Sequence, residues 1–173
     1  MFQGWNSFYQ MTGGAAANLI GLLFVVATLI ERRDRARVLR GVSIYLTPTA
    51  LHFAMVLLVS ALALAPRLAI SAGAVLVGLG AVLGLGNAIW ACVGMRARSP
   101  GAAPPHWSDF WLYGAAPVAV YLGLAATSVA LWARAGWAVH ALAAVLVALL
   151  LLGLRNAWDL VTWVAPTGDA GAG

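Results

Sequence analysis

Charged residues divide this chain into five long stretches that contain none of them. A helix of about 20 residues crosses roughly 30 Å of hydrocarbon. The five uncharged stretches are Met1–Ile30, Gly41–Pro66, Leu68–Met95, Phe110–Ala133 and Ala135–Leu154. The pattern predicts an all-α integral membrane protein with five transmembrane helices, at about 8–30, 42–65, 68–93, 110–133 and 136–160. They form one domain over about 1–166, followed by a small polar tail that we expect to fray.

Composition supports a membrane protein and excludes several classes of chemistry. Hydrophobic residues make up 63% of the chain and charged residues 9%, against about 25% charged in soluble domains. Every one of the ten basic residues is arginine. Without a lysine amine, the chain cannot form the Schiff base of a retinal or pyridoxal phosphate protein. The net charge of +5 is expected beside the membrane, so we predict no nucleic-acid partner.

The arginines predict the orientation of the helices. Eight fall on one predicted side, in segments 31–40 and 96–109 and at Arg155, and only Arg67 and Arg134 fall on the other. Arginine-rich short loops stay in the cytoplasm, so the N-terminus is predicted to be outside and the C-terminus cytoplasmic. The first span is expected to be a retained helix, because a basic segment follows it in place of a cleavage site.

Small residues repeat at helical spacing in two of the predicted spans. Such stripes let membrane helices approach closely, either within one chain or between copies. Two prolines, Pro48 and Pro117, also lie inside spans, where each removes a backbone donor and disturbs the helix. The predicted packing residues are Gly13, Ala17 and Gly21 in the first span and Gly80, Gly84 and Ala88 in the third.

Three polar residues are predicted to lie near the middle of the membrane. His52 is about ten residues, or roughly 15 Å, deep in its span, and Asn18 and Tyr121 fall near the middle of theirs. Imidazole changes charge near neutral pH, so such a group could form a hydrated constriction or a proton or ion relay. The alternative is a neutral histidine that is hydrogen-bonded across helices for stability.

A second polar group is predicted nearer the cytoplasm. Arg155 and Asp159 are four residues apart, so they share a helix face and can pair. Together with Asn87 and Asn156 they could line the inner mouth of a pore or substrate cavity. The alternative is that Arg155 and Asp159 simply extend to the membrane interface.

Metal, cofactor and catalytic sites are not predicted. The three histidines fall at different depths, and the single cysteine, Cys92, cannot complete a metal cage. Asp159 is the one acidic residue predicted within a span, whereas an aspartyl intramembrane protease needs two. No serine lies in a nucleophile motif. We therefore expect no enzyme, no metal and no cofactor.

The function expected from these patterns is a channel or simple transporter for a small ion or solute. Five short helices leave little room for a water-filled path, so a homo-oligomer in the lipid bilayer is expected. The main alternative is an accessory or assembly subunit that binds another membrane protein. A third is a lipid enzyme with Asp159 or His52 in a sideways groove. The alanine-, glycine- and arginine-rich composition suggests GC-rich codons, and hence a bacterial inner membrane.

Overall fold

The computed structural model describes residues 4–31, 46–96 and 111–164, and the described residues are helical apart from short turns. Within these described ranges, five helices are long and apolar enough to cross a membrane, which agrees with the five long apolar helices that the sequence predicts. They are α1 (Asn6–Glu31), α2 (Thr47–Leu64), α3 (Ile70–Arg96), α4 (Ala116–Trp132, directly preceded by a π-helical turn at Trp111–Ala115) and α5 (Ala138–Val164). The predicted tail at 167–173 lies outside the described residues.

Helices α2, α3, α4 and α5 form a ring, and helix α1 packs outside it. Around the ring, α2 packs on α3, α3 on α4, α4 on α5 and α5 on α2, while α1 lies along α2 and touches α5. Helices α2 and α4 are therefore diagonal partners. Large apolar side chains cover the outer surface, and exposed tryptophans lie towards the ends of the spans: Trp90, Trp111, Trp132, Trp137 and Trp158.

The two ends of the ring differ in how the helices are joined. At one end, short turns connect α2 to α3 and α4 to α5, and we call this the short-loop end. The opposite end carries Arg155 and adjoins the two long segments 32–45 and 97–110, and we call it the arginine-rich end. Arg67 and Arg134 at the short-loop end have left-handed backbones, with φ of 59° and 56°.

The end of α4 shows how such a left-handed residue stops a helix. The Arg134 N–H donates to the Leu131 carbonyl, and the Ala135 N–H donates to the Ala130 carbonyl. This pair of bonds is the Schellman motif, which satisfies carbonyls that the helix leaves open. Glycine is the usual residue at that position, and here it is arginine.

The two prolines that the sequence places inside predicted spans both stand at the start of a regular α-helix. Pro48 is the second residue of α2, and Pro117 is the second residue of α4. Each follows π-helical backbone, at Leu46 and at Trp111–Ala115. Proline has no N–H to donate to the carbonyl four residues before it, so the turn before it is free to widen. The prolines thus set where the straight part of each helix begins.

Glycines on α3 and α5 bring the ring helices into close contact. A Cβ at Gly84 would overlap the Tyr121 ring, and one at Gly80 would lie 2.8 Å from the Met55 sulfur. A Cβ at Gly153 would lie 2.5 Å from the Phe53 ring. The α3 stripe of Gly80, Gly84 and Ala88 is therefore used within this chain and is buried there.

Candidate functional site

A hydrogen bond between α2 and α4 crosses the centre of the four-helix ring. His52 Nδ1 lies 2.9 Å from the Tyr121 hydroxyl, and the two rings are tilted by 44°. His52 is 1% exposed and Tyr121 is fully buried. Each residue lies four positions, or about one helical turn, beyond a proline: Pro48 before His52 and Pro117 before Tyr121. The same local arrangement on two diagonal helices thus places the two side chains at one level.

Several buried polar side-chain atoms on α2, α3 and α5 have no hydrogen-bond partner among the described residues. They are His52 Nε2, Asn87 Nδ2 and both side-chain atoms of Asn156. Asn156 is completely buried. Buried polar groups in proteins are nearly always paired with protein or with water. These atoms are therefore the strongest sign of a site that binds something.

The unpartnered groups lie on the arginine-rich side of the His52–Tyr121 pair. Gly84 contacts Tyr121, and Asn87 is three residues further along α3 towards the arginine-rich end. Gly153 contacts Phe53, and Asn156 is three residues further along α5 in the same direction. Three helical residues rise about 4.5 Å, so the two amides share one level, about one turn from the pair. We call the ring from the pair to the arginine-rich end the polar half.

Charged side chains flank Asn156 along α5, with Arg155 one residue before it and Asp159 three residues after it. Arg155 forms an ion pair with Asp159 Oδ1, as their spacing allows, and the Tyr113 hydroxyl donates to Asp159 Oδ2 at 3.0 Å. The Arg155 side chain is 48% exposed and that of Asp159 is 32% exposed. The carboxylate is thus held by one cation and one hydroxyl, on two different helices.

The ring on the other side of the pair, which we call the apolar half, buries mainly large apolar side chains, and the buried hydroxyls of Thr127 and Ser128 there donate to backbone carbonyls of α4. Val56, Leu124, Leu146 and Leu149 are fully buried there. Near the short-loop end the helices enclose a cavity of about 60 Å³ whose lining includes Val59, Leu131 and Leu142. The lining residues of this cavity are all apolar or glycine, so a water there would find few partners.

The structure brings only part of the predicted midplane cluster together. His52 and Tyr121 are bonded, but Asn18 is exposed on the surface of α1. Ala16, two positions away, is fully buried against the ring, and two helical residues turn the chain by about 200°. Of the predicted α1 stripe, Gly13 packs against Ser60, whereas Ala17 and Gly21 are exposed like Asn18.

Two polar contacts were not expected from the sequence. Thr12 on α1 and Ser60 on α2 lie 3.1 Å apart with both hydroxyls buried, next to the close contact of Gly13 with Ser60. Tyr113 binds Asp159 across helices. The spacing of Tyr113, Pro117 and Tyr121 at i, i+4 and i+8 placed them on one face and could have indicated that Tyr113 points inward.

The chain matches no protein-family model, no curated protein and no solved structure. The chemistry of the site must therefore be argued from its own residues. Within the described ranges, no group of three histidine, cysteine, aspartate or glutamate side chains lies together as a metal site would require. What the site offers is a set of neutral hydrogen-bonding groups, closed on one side by a hydrogen-bonded pair.

Proposed function

We propose that this protein is a small membrane transporter that carries a small ion or solute. The observation that carries the proposal is the fully buried Asn156, whose amide has no partner among the described residues, one turn from the unpartnered His52 Nε2. A buried unpaired amide costs stability, about 1–3 kcal/mol. Such a cost is retained where the groups serve a ligand.

The contrast between the two halves favours a carrier over a permanently open pore. The polar half offers hydrogen bonds to a solute that enters from the arginine-rich end. The His52–Tyr121 pair and the buried leucines beyond it close the way to the short-loop end. Passage then requires the pair to separate and the apolar half to open, as in alternating access. In this proposal the residues bind and gate, and none acts as a catalyst.

Flux into liposomes that contain the purified protein tests this proposal. Wild type should raise the permeability to ions or small solutes above that of protein-free liposomes, and His52→Ala should change that increase, because it removes both the bond that closes the path and the unpartnered Nε2. His140→Ala is the matched control, because His140 is exposed near the short-loop end and contacts Trp5, 5.1 Å away between ring centroids. Wild-type liposomes that behave like empty ones would overturn the proposal.

A second candidate function is that of an accessory subunit, and the outer face of α1 favours it. Gly14, Asn18 and Gly21 are exposed there, and nothing lies within 4 Å of a Cβ built on either glycine. An amide facing lipid gains hydrogen bonds when another helix covers it, and small residues let that helix approach. The covering helix would belong to a second copy in the homo-oligomer that we propose for the transporter, or to a different protein for an accessory subunit.

Cross-linking from this face separates the two candidates. Asn18→Cys in a Cys92→Ser background places the sole cysteine on the outer face of α1. A disulfide-linked dimer in native membranes supports the homo-oligomer, and a link to one defined foreign protein supports the accessory subunit. Absence of any cross-link would remove both roles for this face.

The proposal also includes an orientation and a location. We place the arginine-rich end in the cytoplasm of a bacterial inner membrane, with the N-terminus outside, because eight of ten arginines lie at that end or in the adjoining segments. The polar half would then open to the cytoplasm. Topology reporters fused to the two termini should report from opposite compartments, and a report from the same compartment would contradict this orientation.

A further inference from the structure

The hydrogen-bonding groups of the polar half limit the kind of substrate that can bind there more closely than the general proposal of a small ion or solute does. The Asn156 amide offers N–H donors and a carbonyl acceptor, and Asn87 Nδ2 offers donors. His52 Nε2 donates or accepts according to the tautomer that Tyr121 selects at Nδ1. Every unpartnered group is thus uncharged, and the set presents donors and acceptors together.

The charged side chains nearest to Asn156 are already paired with each other. Helix α2, the described part of α4 with its π-helical turn, and α3 before Arg96 carry no charged residue. On α5, Arg155 and Asp159 pair with each other, and Tyr113 occupies the second carboxylate oxygen. The charges of α5 are therefore already paired, and the other charged residues on the described helices, Glu31 and Arg96, are the last residues of α1 and α3. A buried ion beside Asn156 would lack a free compensating charge on α2, α4 or α5, which is costly.

A proton bound to His52 would also lack a compensating charge. The titratable group that faces the His52 ring is Tyr121, which is bonded to Nδ1. The described parts of α1, α3 and α5 bring no carboxylate to the level of the pair, since Asp159 lies two helical turns beyond Gly153. An imidazolium formed there would have no counter-charge among the described side chains.

We infer that the polar half binds a small uncharged molecule that both donates and accepts hydrogen bonds, and that it excludes ions. This inference rests on the proposed transport function and specifies its substrate class. Urea, glycerol and water are small uncharged molecules with this hydrogen-bonding character.

Stopped-flow light scattering on liposomes tests the inference with urea, glycerol and water as probes. Wild-type protein should speed the passage of at least one probe over protein-free liposomes. Asn156→Leu should slow that passage about fivefold, the effect of one lost hydrogen bond. Asn6→Leu is the matched control, because Asn6 is exposed at the start of α1, and it should leave the rate unchanged.

The same liposomes, loaded with fluorescent reporters of protons, potassium and chloride, complete the experiment. No ion flux is expected above that of protein-free liposomes. Ion flux without passage of any neutral probe would overturn the inference and leave the transport proposal standing. Absence of both would overturn both. A helical circular dichroism spectrum and a single gel-filtration peak for Asn156→Leu would exclude misfolding as the cause of a slower rate.

Discussion

The two halves of the four-helix ring are built from the same helices and differ in what they bury. In the apolar half, large apolar side chains are fully buried at Val56, Leu124, Leu146 and Leu149. In the polar half, one turn beyond the His52–Tyr121 pair, the same helices bury amides that lack partners among the described residues. Hydrocarbon packing stabilises the first half, whereas the second gives up stability to keep hydrogen-bonding groups available.

The largest expected effect comes from placing an amide in the apolar half. Leu149→Asn removes a fully buried leucine and leaves a polar group among hydrocarbon side chains. We expect a loss of about 3 kcal/mol in the free energy of unfolding, measured by denaturant titration in mixed micelles. A loss below about 1 kcal/mol would show that the two halves tolerate amides alike.

The second largest effect is expected at the contact between Gly84 and Tyr121, at the level where the two halves meet. A methyl group at Gly84 overlaps the Tyr121 ring, so Gly84→Ala must displace the ring and weaken its bond to His52. We expect a loss of about 2 kcal/mol in the free energy of unfolding. Gly86→Ala is the control on the same helix, because nothing lies within 4 Å of a Cβ there. Equal losses for the two variants would contradict the packing described.

The reverse change in the polar half should have the opposite sign. Asn156→Leu removes an amide that has no partner among the described residues. We expect the free energy of unfolding to rise by about 1 kcal/mol, although the leucine must fit the space of the amide. A loss above about 2 kcal/mol would mean that the amide is satisfied within the protein and supports its structure.

The smallest expected effect concerns the end of the apolar half. Arg134 has a left-handed backbone in the Schellman motif that ends α4, a position that glycine adopts with less strain. Arg134→Gly should therefore raise the free energy of unfolding by about 0.5 kcal/mol. Glycine relieves the strain of the left-handed backbone, and its greater conformational freedom in the unfolded chain offsets part of that gain. Destabilisation would show that the arginine side chain itself stabilises this turn.

The sequence predicted the helices and their depth better than their faces. Uncharged length was enough to identify five spans, and counting residues placed His52 and Tyr121 at one level. Depth says nothing about rotation, however, and Asn18 lies on the opposite side of α1 from the buried Ala16. Helix α1 carries few polar residues, and they do not form one polar face from which its rotation could be predicted.

Contacts between helices were also beyond the reach of sequence patterns. The Arg155–Asp159 pair follows from a spacing of four on one helix. The bond of Tyr113 to Asp159 depends on how far α4 and α5 slide past each other. That register is set by close contacts such as Gly153 with Phe53, which depend on the packed structure as a whole.

Thiol reactivity at two buried positions of α5 most directly tests the distinction between a polar half that opens to solutes and an apolar half that does not. Asn156→Cys and Leu146→Cys, each in a Cys92→Ser background, place a thiol in the polar half and in the apolar half, at positions that are both fully buried. With a small neutral hydrophilic reagent, hydroxyethyl methanethiosulfonate, the thiol at 156 should react at least about tenfold faster than the thiol at 146, because the site that we propose opens to solutes. Equal rates at the two positions, or a faster reaction at 146, would contradict the account.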